Sequence, residues 1–141
     1  MIRVAVEKDN KEIYHLLKQI AQLHHRLYPE HFATGEAKYS IAGINEFIGN
    51  KNKLILVYEK DSKVAAYLIG WYIDDYFFVD DLCVNETYRG QSIGKQLLDG
   101  LPAYVTSSFI RLNVWHRNEQ AVKFYEKLGF MPLKYVLEKK I

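Results

Sequence analysis

The sequence lacks most features that mark secreted, membrane or nucleic-acid-binding proteins. Its single cysteine, Cys83, excludes an internal disulfide framework and a cysteine-based zinc cluster. No run reaches the roughly 18 to 20 apolar residues that span a bilayer, and the first residues carry no targeting pattern. With 19 Lys and Arg against 17 Asp and Glu, the net charge of +2 is too small for a dedicated nucleic-acid binder. We therefore expect a cytoplasmic protein with no membrane and no nucleic-acid partner.

The chain is long enough and apolar enough to form one globular domain over residues 1–141. Of its residues, 49% are hydrophobic and 26% are charged, which excludes disorder. A domain of this size buries enough surface to fold without a metal or a disulfide. Tyrosine is abundant, with 11 copies. Its apolar ring and polar tip suit core edges and ligand clefts, and composition alone does not distinguish these locations.

The spacing of apolar residues changes along the chain and separates helices from strands. Helical spacing predicts four helices, and alternating or continuous apolar runs predict six strands. The first helix starts with Asp9 and ends before Pro29, the second covers about 36–48, the third opens after Ser92 and the fourth closes at Gly129. The strands cover 2–6, 54–59, 64–73, 76–84, 109–114 and 135–139. This order predicts an α/β domain with a mixed sheet.

A glycine-containing loop precedes the third helix and is a candidate phosphate site. Gly90 and Gly94 bracket this loop, and Arg89 adds a fixed positive charge. A helix start leaves backbone N–H groups unpaired at its positive end, where anions bind. The three glycines of a dinucleotide-binding fingerprint are absent, and a P-loop would need one more residue before Lys95 and a hydroxyl in place of Gln96. Taken alone, the loop fits a structural turn as well as a phosphate cradle.

A second motif follows in the segment LNVWHRNEQAVKFYEKLGF, and with it the sequence resembles the GNAT superfamily of N-acetyltransferases. The family's [QR]xxGx[GA] pattern matches residues 89–94, with Ser92 where the family often has glycine. Asn118, Ala121, Phe124-Tyr125 and Gly129-Phe130 match its second motif. The resemblance implies a GNAT fold: a mixed, mostly antiparallel sheet of about six to seven strands, flanked by four helices and splayed after the central strand.

The resemblance also implies acetyl-CoA as co-substrate, with no metal. Loop amides and Arg89 would hold the pyrophosphate, and the backbone of 82–84 would pair with the pantetheine arm like an added strand. Asn118 would cap its helix and contact the cofactor. A backbone N–H near Leu82 or Cys83 would stabilise the oxyanion. The implied cofactor residues are Leu82, Cys83, Val84, Arg89, Gly90, Gln91, Ser92, Ile93, Gly94, Lys95, Asn118 and Tyr125.

Two side chains are candidates for proton transfer. Tyr125 resembles the family's general acid, because a hydroxyl with pKa near 10 can donate to a thiolate whose pKa is about 8.5; the alternative is a tyrosine that only packs on the sheet. For the base, consecutive strand residues point to opposite faces, so at most one of Asp80 and Asp81 should face the reaction centre. We favour Asp80, which should share a face with Leu82 and Val84; Asp81 and ordered water stay open.

Residues 23–32 contain three of the five histidines and are a candidate acceptor site. Adjacent helical histidines diverge by about 100°, so we expect no metal there. In the resembling family this segment lines the acceptor pocket, and the implied substrate residues are His24, Tyr28, His31, Phe32, Tyr72 and Asp81.

The expected function is acetyl transfer to a primary amine of a small molecule, polyamine- or aminoglycoside-like, by direct attack in a ternary complex. Alternatives are a protein or peptide lysine or N-terminal amine as acceptor, or a CoA-binding sensor without catalysis. A homodimer is expected only by family analogy.

Overall fold

The computed structural model describes residues 1–32 and 36–141, and its described part contains a five-stranded sheet. The strands are β1 Ile2–Val4, β2 Lys53–Lys60, β3 Lys63–Ile73, β4 Tyr76–Val84 and β5 Phe109–Leu112, and they lie side by side in the sheet in this order. Neighbouring strands are antiparallel except β4 and β5, which are parallel. A two-residue turn joins β2 to β3, and its residues Asp61 and Ser62 have φ of 53° and 61°, as such hairpins require.

Four α-helices flank this sheet over the described residues, as predicted. They are α1 Asn10–Leu27, α2 Ile41–Gly49, α3 Ile93–Gly100 and α4 Glu119–Lys127. The second begins later than predicted because the Ser40 hydroxyl accepts a hydrogen bond from the Gly43 N–H at 3.0 Å and caps the helix there. Asp9 precedes α1 without capping it; its carboxylate instead binds Arg3 at 2.8 and 2.9 Å.

The sheet packs a separate hydrophobic core on each face. One, the α1/α2 core, includes Ile13, Leu17, Ile44, Tyr67, Ile69 and Cys83. The other, the α3 core, includes Leu68, Phe77, Val79, Leu97 and Leu101, with Phe124 and Tyr125 of α4 packed against it. Because side chains alternate along a strand, Tyr67 and Leu68 enter opposite cores.

The prediction of six to seven strands is wrong, since the described residues form five. Residues 135–139 have the apolar alternation of a strand but pair with no other strand. Alternation reports which side chains share a face, whereas a strand also needs a neighbour for its backbone groups, and the sequence does not supply that information.

A bulge in β4 positions the site. Ile69 lies opposite Asp81 and Gly70 opposite Val79, so Asp80 has no partner on β3. Pairing with β5 stops at Val79, where β5 ends, although β4 continues to Val84. At Gly70 a Cβ would lie 2.4 Å from the Phe78 carbonyl oxygen, so only glycine fits beside the bulge. The end of β5 leaves an open β4 edge over residues 80–84.

Candidate active site

The loop before α3 presents a row of unpaired backbone donors. Gly90 has φ 81° and Ser92 has φ 60°, and these left-handed residues turn the chain into the helix. In the described part of the chain, the N–H groups of 91–95 have no acceptor, and the first bond runs from the Gln96 N–H to the Ser92 carbonyl at 3.0 Å. Unpaired donors at the positive end of a helix form a site for an anion such as a phosphate.

Two cations lie beside this loop. The Arg89 Nε donates to the Val84 carbonyl at 3.4 Å, which holds the guanidinium between the loop and the open edge of β4. Lys60, at the end of β2, donates to the side-chain oxygen of Gln91. Sequence reasoning missed Lys60, because it lies 31 residues before Gln91 and no local motif marks it.

Gly94 permits a close approach of α3 to α4. A Cβ at this buried position would lie 3.2 Å from Cζ of Phe124 and 3.6 Å from a methyl carbon of Val84. Phe124 in turn packs against Tyr125, with ring centroids 5.2 Å apart. The absence of a side chain at Gly94 therefore lets the start of α3 lie against the helix that carries Tyr125.

Asp80 and Asp81 both make hydrogen bonds on the α1/α2 side of the sheet. Asp80 accepts from the Tyr39 hydroxyl at 2.6 Å, and Asp81 accepts from the Tyr67 hydroxyl at 2.9 Å. Tyr67 belongs to the α1/α2 core and Tyr39 packs against it. The expectation that only one of the two carboxylates faces the site, on the side of Leu82 and Val84, is wrong. The bulge places both on the same side by interrupting the alternation.

The two carboxylates differ in their electrostatic partners. Asp80 also forms an ion pair with Lys38, with Nζ 2.8 Å from Oδ1. Asp81 is hydrogen-bonded by a neutral hydroxyl, and burial raises the pKa of its carboxyl to about 6. A carboxyl with this pKa is ionised at neutral pH yet binds a proton readily, which suits a general base.

Tyr125 lies on α4 with its ring between those of Phe124 and Phe130. Its hydroxyl has no hydrogen-bond partner among residues 1–32 and 36–141, so it is available to a ligand. Burial, together with the charge of Asp81, raises its pKa to about 12. The group therefore remains a hydrogen-bond donor at neutral pH.

Two other predicted cofactor residues have structural contacts. Asn118 caps α4, and its side-chain oxygen accepts from the Ala121 N–H at 3.3 Å, which confirms the predicted cap. Cys83 is buried in the α1/α2 core, and burial raises the pKa of its thiol to about 12.

Four of the six predicted substrate residues form one aromatic cluster with Trp115. The Trp115 ring centroid lies 4.5 Å from Tyr28, 5.4 Å from His31 and 5.2 Å from Phe32, and His24 stacks on Phe32 at 5.0 Å. Tyr28 is buried, and its hydroxyl accepts from the Arg117 N–H at 2.6 Å. It therefore ties the end of α1 to the segment after β5. Sequence reasoning missed Trp115, which follows β5 without a recognisable motif.

Tyr72 is not part of this cluster. It pairs with Phe77 near the start of β4, and its hydroxyl accepts from the Thr106 N–H at 3.2 Å. Its ring packs against Phe77 in the α3 core. Tyr72 therefore lies beside the start of β4, whereas Asp81 lies further along that strand. This separates Tyr72 from the candidate acceptor residues.

Neither a metal cluster nor a membrane-spanning helix is found where the structure describes the chain. No three His, Cys, Asp or Glu side chains converge in residues 1–32 and 36–141. No helix in these same ranges is long and apolar enough to cross a bilayer.

Comparisons with known proteins identify the family of the chain. A sequence model described as the acetyltransferase (GNAT) family matches residues 17–130. A Bacillus subtilis (strain 168) protein, provisionally named a [ribosomal protein bS18]-alanine N-acetyltransferase, is 30% identical over 91 residues. That match covers 62% of this chain and 60% of the relative, so the chain spans less than two thirds of the length of that relative.

Two solved structures share the fold. A point mutant of the BH1408 protein from Bacillus halodurans superposes with a TM-score of 0.90 at 24% identity, covering 100% of this chain and 99% of that one. The aminoglycoside N-acetyltransferase AAC(6')-Iy in complex with CoA gives a TM-score of 0.74 at 14% identity, covering 100% and 98%.

Proposed function

Because the chain belongs to the acetyltransferase (GNAT) family, we propose that it transfers an acetyl group from acetyl-CoA to a primary amine of a small cationic molecule. One arrangement carries the proposal. The loop with unpaired amides leads directly to the open edge of β4, and that edge ends at the Asp80–Asp81 pair. From the loop toward Asp81, the chain thus offers a phosphate site, then an open strand edge for an extended arm, and then a base.

The cofactor would bind along this path. The amides of 91–95 would receive the pyrophosphate, with Arg89 and Lys60 supplying charge. The pantetheine arm has amide groups and would pair with the unpaired backbone of 82–84 as an additional strand. The known CoA complex with the same fold supports this placement.

The proton of the amine is the main chemical obstacle. An amine with pKa near 10 is mostly protonated at pH 7, and removing its proton costs about 4 kcal/mol. Asp81 would accept that proton, and the neutral amine would attack the thioester carbonyl. The new C–N bond forms as the C–S bond breaks, and the CoA thiolate leaves. We therefore propose Asp81 as the base rather than Asp80, whose charge Lys38 already neutralises.

Tyr125 would stabilise the departing thiolate. Full proton transfer to a thiolate of pKa about 8.5 from a hydroxyl of pKa about 12 is uphill by roughly 5 kcal/mol. We therefore assign Tyr125 a hydrogen bond to the sulfur, with protonation of the thiolate completed by solvent. The unpartnered hydroxyl supports this role.

The acceptor class follows from the charge at the site. The Lys38 ammonium lies 2.8 Å from the Asp80 carboxylate, and an ammonium group of the acceptor would bind this carboxylate in the same way. A molecule with several amines, polyamine- or aminoglycoside-like, could bind Asp80 with one amine and present another to Asp81. The aminoglycoside-modifying enzyme of the same fold supports a small-molecule acceptor.

A second candidate acceptor is the N-terminal amine of a protein. The Bacillus subtilis relative, named for acetylating the alanine of a ribosomal protein, favours it. A third reading is a sensor that binds CoA without transferring the acetyl group.

Thiol release from acetyl-CoA tests the three readings together. The panel should contain a polyamine, an aminoglycoside, a peptide with N-terminal alanine and a lysine peptide. We expect the small polyamines to give the highest kcat/KM, with Asp81→Asn lowered by roughly 10²- to 10⁴-fold and the exposed Asp75→Asn control unchanged. Preference for the alanine peptide would establish the second candidate, and calorimetric binding of CoA without thiol release would establish the sensor. Absence of CoA binding would refute the proposal.

A further inference from the structure

Lys38 places a primary amine of the chain itself at the candidate active site. Its Nζ lies 2.8 Å from Oδ1 of Asp80, although 42 positions separate the two residues in the sequence. The adjacent Tyr39 hydroxyl donates to Oδ2 of the same carboxylate at 2.6 Å, which fixes the segment before α2 against β4. In the part of the chain that the structure describes, no other lysine forms an ion pair with Asp80 or Asp81.

The charge of this ammonium acts on both the proposed base and the aromatic cluster. Burial raises the pKa of the Asp81 carboxyl to about 6, and the Tyr67 hydrogen bond and the Lys38 charge oppose that rise. Burial, and then the charge of Lys38, lower the pKa of His24, which stacks on Phe32 in the cluster. The ammonium therefore lies near both groups, where the amine of an acceptor would react.

The amine of Lys38 is accessible, whereas its partner is held in the sheet. The Lys38 side chain is 50% exposed and that of Asp80 is 9% exposed. A lysine has a flexible four-carbon stem, so its Nζ can leave the carboxylate without a movement of the backbone. The hydrogen bond from Tyr39 to Asp80 keeps the amine close to the site when this happens.

We propose that the protein acetylates Lys38 of its own chain, and that this modification frees Asp80 for an acceptor. The inference rests on the proposed function, because it uses the same thioester and the same base. Asp81 would accept one proton from the ammonium, and the neutral Nζ would attack the thioester carbonyl. The C–N bond forms as the C–S bond breaks. The attacking nitrogen loses a second proton to water, and the departing CoA thiolate takes a proton from solvent.

The modified side chain would no longer compete with the acceptor. Acetylation removes the charge of a lysine, so acetylated Lys38 would not form an ion pair with Asp80. The carboxylate would then be available to an ammonium group of a small molecule. One transfer within the chain would thus convert a site that its own lysine occupies into an open one.

Peptide mass spectrometry tests the modification on the full chain. Trideuterated acetyl-CoA distinguishes newly transferred groups from any acetyl group already present. Cleavage after glutamate releases Lys38 in the peptide 37–46, which contains no other lysine. Without an added amine, we expect Lys38 to be labelled at least about tenfold faster than the exposed hairpin residue Lys63, because a positioned amine reacts intramolecularly. In Asp81→Asn, the rate at Lys38 should fall to that at Lys63.

A parallel reaction with a polyamine separates this inference from the proposed function. If the polyamine is acetylated while Lys38 is labelled no faster than Lys63, self-acetylation is refuted and the proposed function stands. If neither the polyamine nor Lys38 is acetylated, both fail. The labelling rate per chain should not change on dilution, and a rate that rises with protein concentration would overturn transfer within one chain.

Two substitutions test the release of Asp80. Lys38→Gln removes the charge, as acetylation does, whereas Lys38→Arg keeps a charge without a reactive amine. The KM for a polyamine should be up to about fivefold lower in Lys38→Gln than in Lys38→Arg, since a partly exposed ion pair contributes an effect of this size. Equal KM values, or a higher value for Lys38→Gln, would overturn the release.

Discussion

Replacing Asp81 by asparagine separates the charge of this residue from its shape. Asparagine has nearly the same volume, and its side-chain oxygen can still accept the hydrogen bond from the Tyr67 hydroxyl, now 2.9 Å from Asp81. The substitution therefore removes the ionisation alone. It should affect activity and stability in opposite directions, and each effect should depend on pH.

The expected gain in stability follows from the raised pKa. Burial moves the carboxyl from its ordinary value of 3.8 to about 6, so the folded state binds a proton more tightly than the unfolded state does. The stabilisation from this proton is complete below about pH 4 and is lost as the pH rises through 6. A difference of about 2 pKa units corresponds to roughly 3 kcal/mol. Because Asp81 keeps some contact with solvent, this is an upper limit.

Urea unfolding at pH 4 and pH 8 measures the effect. We expect Asp81→Asn to exceed the wild type in free energy of unfolding by up to about 3 kcal/mol at pH 8 and by little at pH 4. The exposed control Asp75→Asn should show no such pH dependence. A stability difference that is equal at the two pH values would refute the raised pKa.

The same variant tests the base. For the wild type, kcat/KM should fall about tenfold for each pH unit below 6, as Asp81 becomes protonated. Asp81→Asn should lose roughly 10²- to 10⁴-fold in kcat/KM together with this acidic limb. An active variant with the limb intact would place the base at Asp80 or at water.

Three further substitutions test the remaining parts of the site. Tyr125→Phe should lower kcat by about 10- to 100-fold with unchanged calorimetric affinity for acetyl-CoA, and unchanged kcat would remove Tyr125 from the mechanism. Lys60→Met should weaken CoA binding several-fold, mainly at low salt, whereas Lys63→Met on the exposed hairpin should not; equal effects would mean general charge rather than local contact. Ser92→Gly should raise the Tm by removing left-handed strain of about 1 kcal/mol, and a lower Tm would show that the serine side chain stabilises the loop.

Features set by neighbouring residues were predictable from the sequence. The loop at 89–94 and the cap at Asn118 depend on glycine conformations and on a side chain reaching three residues ahead. Apolar spacing likewise predicted four helices and the antiparallel hairpins. The fate of residues 135–139 was not predictable, because whether a strand finds a partner depends on distant parts of the chain or on a second copy.

Contacts that join distant segments were also missed. Lys60 reaches Gln91, and Lys38 and Tyr39 reach Asp80 across about forty residues. No motif marks these positions, since Lys38 and Tyr39 depend on how the segment before α2 lies against β4, and Lys60 depends on how the end of β2 lies beside the loop before α3. Trp115 was also missed, because its contact with Tyr28 joins two segments that lie far apart in the sequence.

The bulge at Asp80 explains why adjacent identical side chains acquire different roles. In a regular strand the two carboxylates would face opposite cores, and one would be irrelevant to the chemistry. The extra residue instead turns both toward α1 and α2, where adjacent negative charges would repel. The Lys38 ammonium offsets the charge of Asp80, and Asp81 remains without a direct cationic partner and has the raised pKa. An acceptor with two amines would match this asymmetry, because one ammonium could replace Lys38 while the other loses its proton to Asp81.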